Sequence, residues 1–179
     1  NTLKACVAGK DWRPPKPQNE RLTLKQGCFV TLHKIEKHNE KKIKRLRGCI
    51  GYIFAVKPLY MAVHDMAIQA ALHDPRFPPV APSELKDIEI EISVLSPLVE
   101  VNDTSEIKVG RDGLYLVKGF ASGVLLPQVP VEWGWNSEEF LSNCCMKAGL
   151  PPDCWLLSKT KIYKFSCIIA EELEPNGRI

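Results

Sequence analysis

The chain has 179 residues, 45% hydrophobic and 25% charged, with a formal net charge of +3. That length suits one large domain or two close subdomains around a sizeable core, and the composition excludes disordered, fibrous and disulfide-scaffold proteins. Seven cysteines, an odd number with no C-x-x-C pair, read as reduced thiols in a reducing compartment, with no metal ligand set and no cofactor indicated. The longest apolar runs, such as Tyr52 to Val56, fall well short of the roughly 20 residues of a membrane-spanning helix. No signal segment or lipidation motif is seen. The expected location is therefore cytoplasmic, or nuclear in a eukaryote, with no membrane partner.

Taken in order, residues 1–26 read as a lead-in packed on the domain, stiffened by Trp12-Arg13-Pro14-Pro15-Lys16-Pro17. Cys28 to Ile35 and Leu46 to Val56 are rich in β-branched and aromatic residues, which predicts a hairpin whose long loop is the charged Glu36 to Lys44. His33 to Arg47 holds seven Lys/Arg against two Glu. Such a stretch attracts phosphate or acidic protein surfaces, so nucleic acid binding through Lys34 to Arg47 is one reading. A solvated hairpin tip is the simpler one, because no aromatics interleave with the lysines.

Pro58 suits a first helical turn, and the apolar Leu59 to Leu72 predicts a buried helix that Asp74-Pro75-Arg76-Phe77-Pro78-Pro79 ends. A short helix over Pro82 to Lys86 follows. Ile88 to Leu95 then alternates apolar and polar residues as a half-exposed strand does. Further strands are expected at Leu114 to Lys118, Gly123 to Leu126 and Lys161 to Leu173, with a helix over Ser137 to Ala148 whose N-cap is Ser137. Gly48 to Pro75 and Gly123 to Pro151 are spaced 27 and 28 positions apart. The fold class expected is α+β, with two related β-β-α-α-β repeats forming a curved, mainly antiparallel sheet with flanking helices. A single domain over 27–173 would hold pseudo-repeats at about 27–98 and 113–173, before a tail at 174–179.

The segment with most chemical content is Leu46-Arg47-Gly48-Cys49-Ile50-Gly51. Strand alternation places Leu46, Ile50, Tyr52 and Phe54 on one face and Arg47, Cys49 and Ile53 on the other. A guanidinium beside a thiol favours the nucleophilic thiolate, and Gly48 and Gly51 would bare backbone N–H groups to an anion or oxyanion. A cysteine nucleophile also needs a base. The histidines available are His33, His38, His64 and His73, and spacing alone places none of them; His64 on the apolar helix is the one carried forward. Arg76 would clamp a carboxylate or phosphate, or pair with Asp74.

These residues, with Asp-Pro-Arg-Phe-Pro-Pro at 74–79, Ile-Glu-Ile-Ser-Val-Leu-Ser at 90–96, Gly-Val-Leu-Leu-Pro-Gln-Val at 123–129 and Lys-Ala-Gly-Leu at 147–150, resemble the AMMECR family. The resemblance covers about Gly27 to Glu172. It implies an α+β fold of two β/α repeats and a domain of undetermined biochemical activity. In prokaryotes it is found beside or fused to Memo-like and radical-SAM-like proteins, which become possible partners. It marks Arg47, Gly48, Cys49, Ile50 and Gly51 as the functional residues. Tyr52 departs from the pattern, where a small hydroxyl residue such as Thr is expected, and its bulk would narrow access to Cys49.

Three readings follow. In the first the chain is an enzyme, with Cys49, Arg47 and His64 catalytic and Gly48, Ile50, Gly51 and Arg76 binding the ligand. In the second it is a non-catalytic binding or adaptor module that presents the basic hairpin. In the third the glycines only bend the sheet around a buried Cys49.

Overall fold

The computed structural model describes residues 1–38 and 41–172, with backbone only at Lys37, His38 and Lys41. The expected tail at 174–179 lies outside them. The chain forms two compact units, Asn1–Leu95 with Ile168–Ile179, and Ser96–Cys167.

In the first unit β1 (Cys28–His38) pairs with β2 (Lys41–Tyr52), and a sheet of order β2-β1-β3-β8 is completed by β3 (Ile88–Leu95) and β8 (Cys167–Glu171). The charged segment expected as a long loop is instead strand: Glu36 pairs with Ile43, and pairing continues to His38 and Lys41. Charge does not prevent strand formation where each cation finds a carboxylate. Lys34 meets Glu84 at 3.7 Å, Arg45 meets Glu36 at 2.6 Å, and Lys42 and Lys44 both meet Glu89.

The 14-residue α2 (Leu59–Leu72) spans the expected residues, with Pro58 as its N-cap. Its buried alanines, Ala62, Ala67, Ala70 and Ala71, let it lie close to the sheet. They pack on Val30, Leu32 and Ile88, while α1 (Thr2–Val7) covers α2 from outside through Leu3. The approach is tightest at Gly48, where a Cβ would lie 2.2 Å from the Ala70 carbonyl oxygen. Gly48 is thus glycine because a helix backbone occupies the space of its side chain.

The other face carries Thr31, Cys49, Glu89, Glu91 and Ser93. Lys44 on edge strand β2 reaches Glu171 on the opposite edge strand β8.

The second unit has a sheet of order β4-β7-β5-β6, from β4 (Val99–Glu100), β5 (Gly113–Lys118), β6 (Ala121–Leu125) and β7 (Lys161–Phe165). Two sheets, not one, are formed. Pro97 has no N–H to extend the ladder beyond Leu95, and the strand expected over Lys161 to Leu173 is broken at Ser166, with β7 in one sheet and β8 in the other.

Helix α4 (Ser137–Lys147) packs Phe140, Leu141, Cys144 and Cys145 into the second core. Its N-cap is Asn136 and not Ser137: the Asn136 side chain accepts the Glu139 N–H, and the Glu139 carboxylate accepts the Asn136 N–H. The short α3 (Gln128–Trp133) has no counterpart among the elements expected from sequence.

Among the described residues no helix is long and apolar enough to cross a membrane. Replacing Gly48 by alanine should lower unfolding free energy by roughly 3 kcal/mol through overpacking against the α2 backbone. Urea denaturation of Gly48→Ala beside Gly119→Ala separates this clash from the cost of a positive φ, because a Cβ at Gly119 would meet nothing within 4 Å.

Candidate functional site

The register of β1 with β2 slips between Leu32 and His33: Leu32 faces Gly48, but His33 faces Leu46. Arg47 is therefore the extra residue of a β-bulge. This removes the expected sharing of a face by Arg47 and Cys49. Leu46 sits on the side of His33 and is exposed, whereas Ile50 and Tyr52 pack into the helix-side core. Tyr52 pairs with Cys28 on that same side, so its bulk does not border the Cys49 thiol.

Arg47 turns its guanidinium onto the chain that follows α2. Its Nε and Nη2 donate to the two Glu84 carboxylate oxygens at 2.9 Å each, its Nη1 to the Pro78 carbonyl at 2.9 Å, and its Nη2 also to that of Pro79 at 3.3 Å. The arginine is only 8% exposed. Such a buried two-pronged pair binds strongly once formed and is costly to break from one side, at about 3–5 kcal/mol. It holds the Glu84 carboxyl down at about 2.

The backbone of Cys49, on the open edge of β2, is closed by the same loop. Its N–H donates to Asp74 Oδ2 at 2.8 Å, and its carbonyl accepts from Arg76 Nη2 at 3.1 Å. Asp74 and Arg76 are joined to each other by Nε and Nη2 contacts of 2.9 and 2.7 Å. Phe77 lies beneath both Arg47 and Arg76, with ring-centre distances of 5.9 and 5.5 Å. The loop thus does for the edge strand what another strand would do. The Cys49 N–H is taken by this bond and is not open to an oxyanion. Gly51, like Gly48, is held to glycine by crowding, here from the Cys28 carbonyl and the Phe29 ring.

The Cys49 thiol lies across from Thr31, whose hydroxyl donates to Sγ at 3.3 Å. Glu91 is opposite Thr31 on β3, which sets Cys49, Thr31 and Glu91 in one row across three strands. Burial pushes the thiol above its ordinary value; the Thr31 hydroxyl and the Arg76 charge pull it back, while Asp74 and Glu91 add to the rise. The resting group is a thiol, not a thiolate.

His64 is elsewhere: its Nδ1 meets the Thr2 hydroxyl at 3.1 Å and its ring meets Trp12 at 5.8 Å, on the helix side of the sheet. The sheet separates it from the Cys49 thiol, since Gly48 faces α2 and its neighbour faces away. His73 is exposed at the end of α2, and the His38 side chain lies outside the described residues. The histidine that shares the face of Cys49 is His33, opposite Glu89. Thr31, Glu91 and Ser93 were not singled out from sequence. The alternation of 88–95 marked the two acidic residues and the serine as one face, but only the pairing register brings that face to Cys49. Among the described residues no three His, Cys, Asp or Glu side chains converge as a metal site would require.

Two measurements follow from the electrostatics. Asp74 is held at about 2, against a usual 3.8, chiefly by the Arg76 guanidinium. A depressed carboxyl contributes stability above its unfolded value and loses it as pH falls through the folded one. At about 1.4 kcal/mol per unit, Asp74→Asn should be less stable by about 2 kcal/mol at pH 7, a gap that closes between pH 4 and pH 2 in denaturant titrations. Alkylation of Cys49 by iodoacetamide, followed by mass spectrometry against pH, should reach half its limiting rate above pH 9. Thr31→Val should move that midpoint higher still, because the lost hydroxyl stabilises the thiolate.

A family model described as AMMECR1 matches residues 1–170. Protein TK0174 of Thermococcus kodakarensis is 52% identical over 171 residues, covering 93% of this chain and 82% of its own length. Protein MJ0810 of Methanocaldococcus jannaschii is 50% identical over 166 residues, covering 89% and 80%. The crystal structure of the uncharacterized protein PH0010 from Pyrococcus horikoshii superposes with a TM-score of 0.89 at 46% identity, covering 99% of this chain and 90% of that one. On sequence and on architecture alike, the chain belongs to the AMMECR1 family.

Proposed function

We propose that the domain is a binding or adaptor module whose working surface is the Asp74 to Pro79 loop, held rigid against the edge of β2. One observation carries this reading: Arg47, Arg76 and the backbone of Cys49 all make hydrogen bonds that fix that loop. A loop that is already ordered loses little entropy when a partner binds it. It presents the Arg76 guanidinium, with 47% of its side chain exposed, beside exposed Pro75, Pro78 and Pro79.

The basic hairpin is the weaker candidate for a nucleic acid surface, because Lys34, Lys42, Lys44 and Arg45 each meet a carboxylate. An enzyme using Cys49, with Arg47 and His64 as catalytic partners and Gly48, Ile50, Gly51 and Arg76 as ligand-binding residues, draws less support. It would need free donors and a base in contact, and the raised thiol lacks both among the contacts described above. The internal repeat belongs to this reading as well. It is supported by the matching sheet orders, β2-β1-β3-β8 and β6-β5-β7-β4, and by Gly123, whose Cβ would crowd the Cys144 carbonyl oxygen at 2.5 Å just as that of Gly48 would crowd the Ala70 carbonyl oxygen at 2.2 Å.

Memo-like and radical-SAM-like proteins are the partners to test, by calorimetry of the purified full chain against each. Arg76→Ala and Pro79→Glu should weaken binding at least tenfold, the second without disturbing the carbonyl that Arg47 uses. Arg45→Glu and Cys49→Ala should leave it unchanged. Binding lost with Arg45→Glu alone would move the interface to the hairpin, and no binding to either protein would overturn the reading.

A further inference from the structure

From Phe77 onward, burial along the chain repeats every third residue. Phe77 is half-buried beneath Arg47 and Arg76, and Val80 is 4% exposed in the core of the first unit. Pro78, Pro79, Ala81 and Pro82 are all exposed. A polyproline II chain has about three residues per turn and no internal hydrogen bonds, so positions three apart share a side. The sequence favours that conformation: Phe77, Pro78 and Ala81 each precede a proline, which disfavours helical angles, and each proline ring restricts its own φ. Residues 78–81 belong to no helix or strand, and Ala81 has φ −81° and ψ 151°.

The inward side of this segment is anchored. Arg47 Nη1 and Nη2 donate to the Pro78 and Pro79 carbonyls, the Val80 N–H donates to the Ala71 carbonyl at 2.8 Å, and the Ala81 N–H donates to Glu84 Oε2 at 2.9 Å. Every main-chain N–H from Pro78 to Pro82 is therefore either absent or used, and what faces outward is three proline rings and one methyl group. Such a surface is recognised by packing against flat rings. Arg76 precedes it in the chain. Its Nε and Nη2 are taken by Asp74 and the Cys49 carbonyl, while its Nη1 makes no hydrogen bond among the described residues.

We infer that Pro78-Pro79 and Ala81-Pro82 form a preordered polyproline II ridge, and that the partner it fits is a protein with an aromatic-lined groove and an acidic residue at the rim of that groove. The inference rests on the adaptor reading and names the chemistry of its partner. Two X-Pro dipeptides separated by one residue are the unit that aromatic-lined grooves receive, and the intervening residue points away from the groove. Here that residue is Val80, which the core already holds. The rim carboxylate accepts from Arg76 Nη1. Because Arg47 and Glu84 fix the segment beforehand, little ordering remains to be done on binding.

The probe is a purified SH3 domain with an acidic groove rim, titrated into the isotope-labelled full chain. Saturable shifts at the Val80, Ala81 and Ser83 amides are expected. Pro79→Ala and Pro82→Ala together should cost at least tenfold in affinity, and replacing the groove tryptophan of the probe by alanine should abolish binding. Arg45→Glu, on the hairpin, should change nothing. Absence of saturable binding would overturn the inference, as would shifts confined to other residues or binding that survives loss of the groove tryptophan. So would an affinity indifferent to the paired proline substitutions in a variant whose melting temperature matches the parent. The adaptor reading fails separately: a Memo-like or radical-SAM-like protein whose binding is lost with Arg76→Ala but unchanged by the paired proline substitutions removes the ridge and leaves that reading standing.

Discussion

The structure of the first unit depends on one junction, the docking of the Asp74 to Pro79 loop onto the bulged edge of β2. Arg47 supplies the inner half of it through Glu84 and the carbonyls of Pro78 and Pro79, and Asp74 with Arg76 supplies the outer half through the Cys49 backbone. An edge strand left open would present unpaired N–H and C=O groups to solvent and to other chains. Here a helix-terminating loop closes it. The prolines that end α2 also keep that loop from collapsing into further helix.

The bulge makes this junction possible. An unbroken ladder would have pointed Arg47 away from Gly48 onto the face of Cys49, opposite His33 and in the row of Glu89, on the wrong side of the sheet for Glu84. One inserted residue reverses that. It lets consecutive positions do different work: Arg47 grips the loop, Gly48 admits the α2 backbone, and Cys49 gives its main chain to the loop and its thiol to Thr31. The cost of burying Arg47 is met by a carboxylate in fork geometry and by two carbonyls, which leaves little of its hydrogen-bonding capacity unspent.

What was legible in the sequence follows from which forces are local. The limits of α2 could be read because a continuous apolar run meets an Asp-Pro stop, and β3 because its alternation has a period of two. The extent of the hairpin could not be read, because seven Lys/Arg look like loop until the facing carboxylates at Glu36, Glu84, Glu89 and Glu171 are known, and three of those four come from later in the chain. The bulge was equally hidden. Nothing in Leu46 to Gly51 announces an extra residue, so the face assignment of Arg47 came out reversed, and with it the reason for linking Arg47 to the thiol. A helix cap misplaced by one residue, Asn136 for Ser137, is a smaller case of the same kind: both residues can cap, and the reciprocal contact with Glu139 decides.

The loop junction also bears on why the Cys49 thiol stays protonated. A thiol becomes a nucleophile when nearby positive charge outweighs the cost of desolvating its anion. At Cys49 the nearest cation, Arg76, is already neutralised by Asp74, and Glu91 faces the thiol across Thr31. Desolvation by burial, the largest influence, is therefore not offset by the Thr31 hydroxyl and Arg76, and the thiol stays protonated. What remains favourable at this position is a small side chain that fits between Thr31 and the edge of the sheet and accepts a hydroxyl hydrogen bond. Serine could accept that bond but would carry a stronger polar group into a largely buried place, and alanine would accept nothing. A cysteine at position 49 therefore suits its place by volume and polarity, and under the adaptor proposal the rigid loop is the part of the motif that a partner meets.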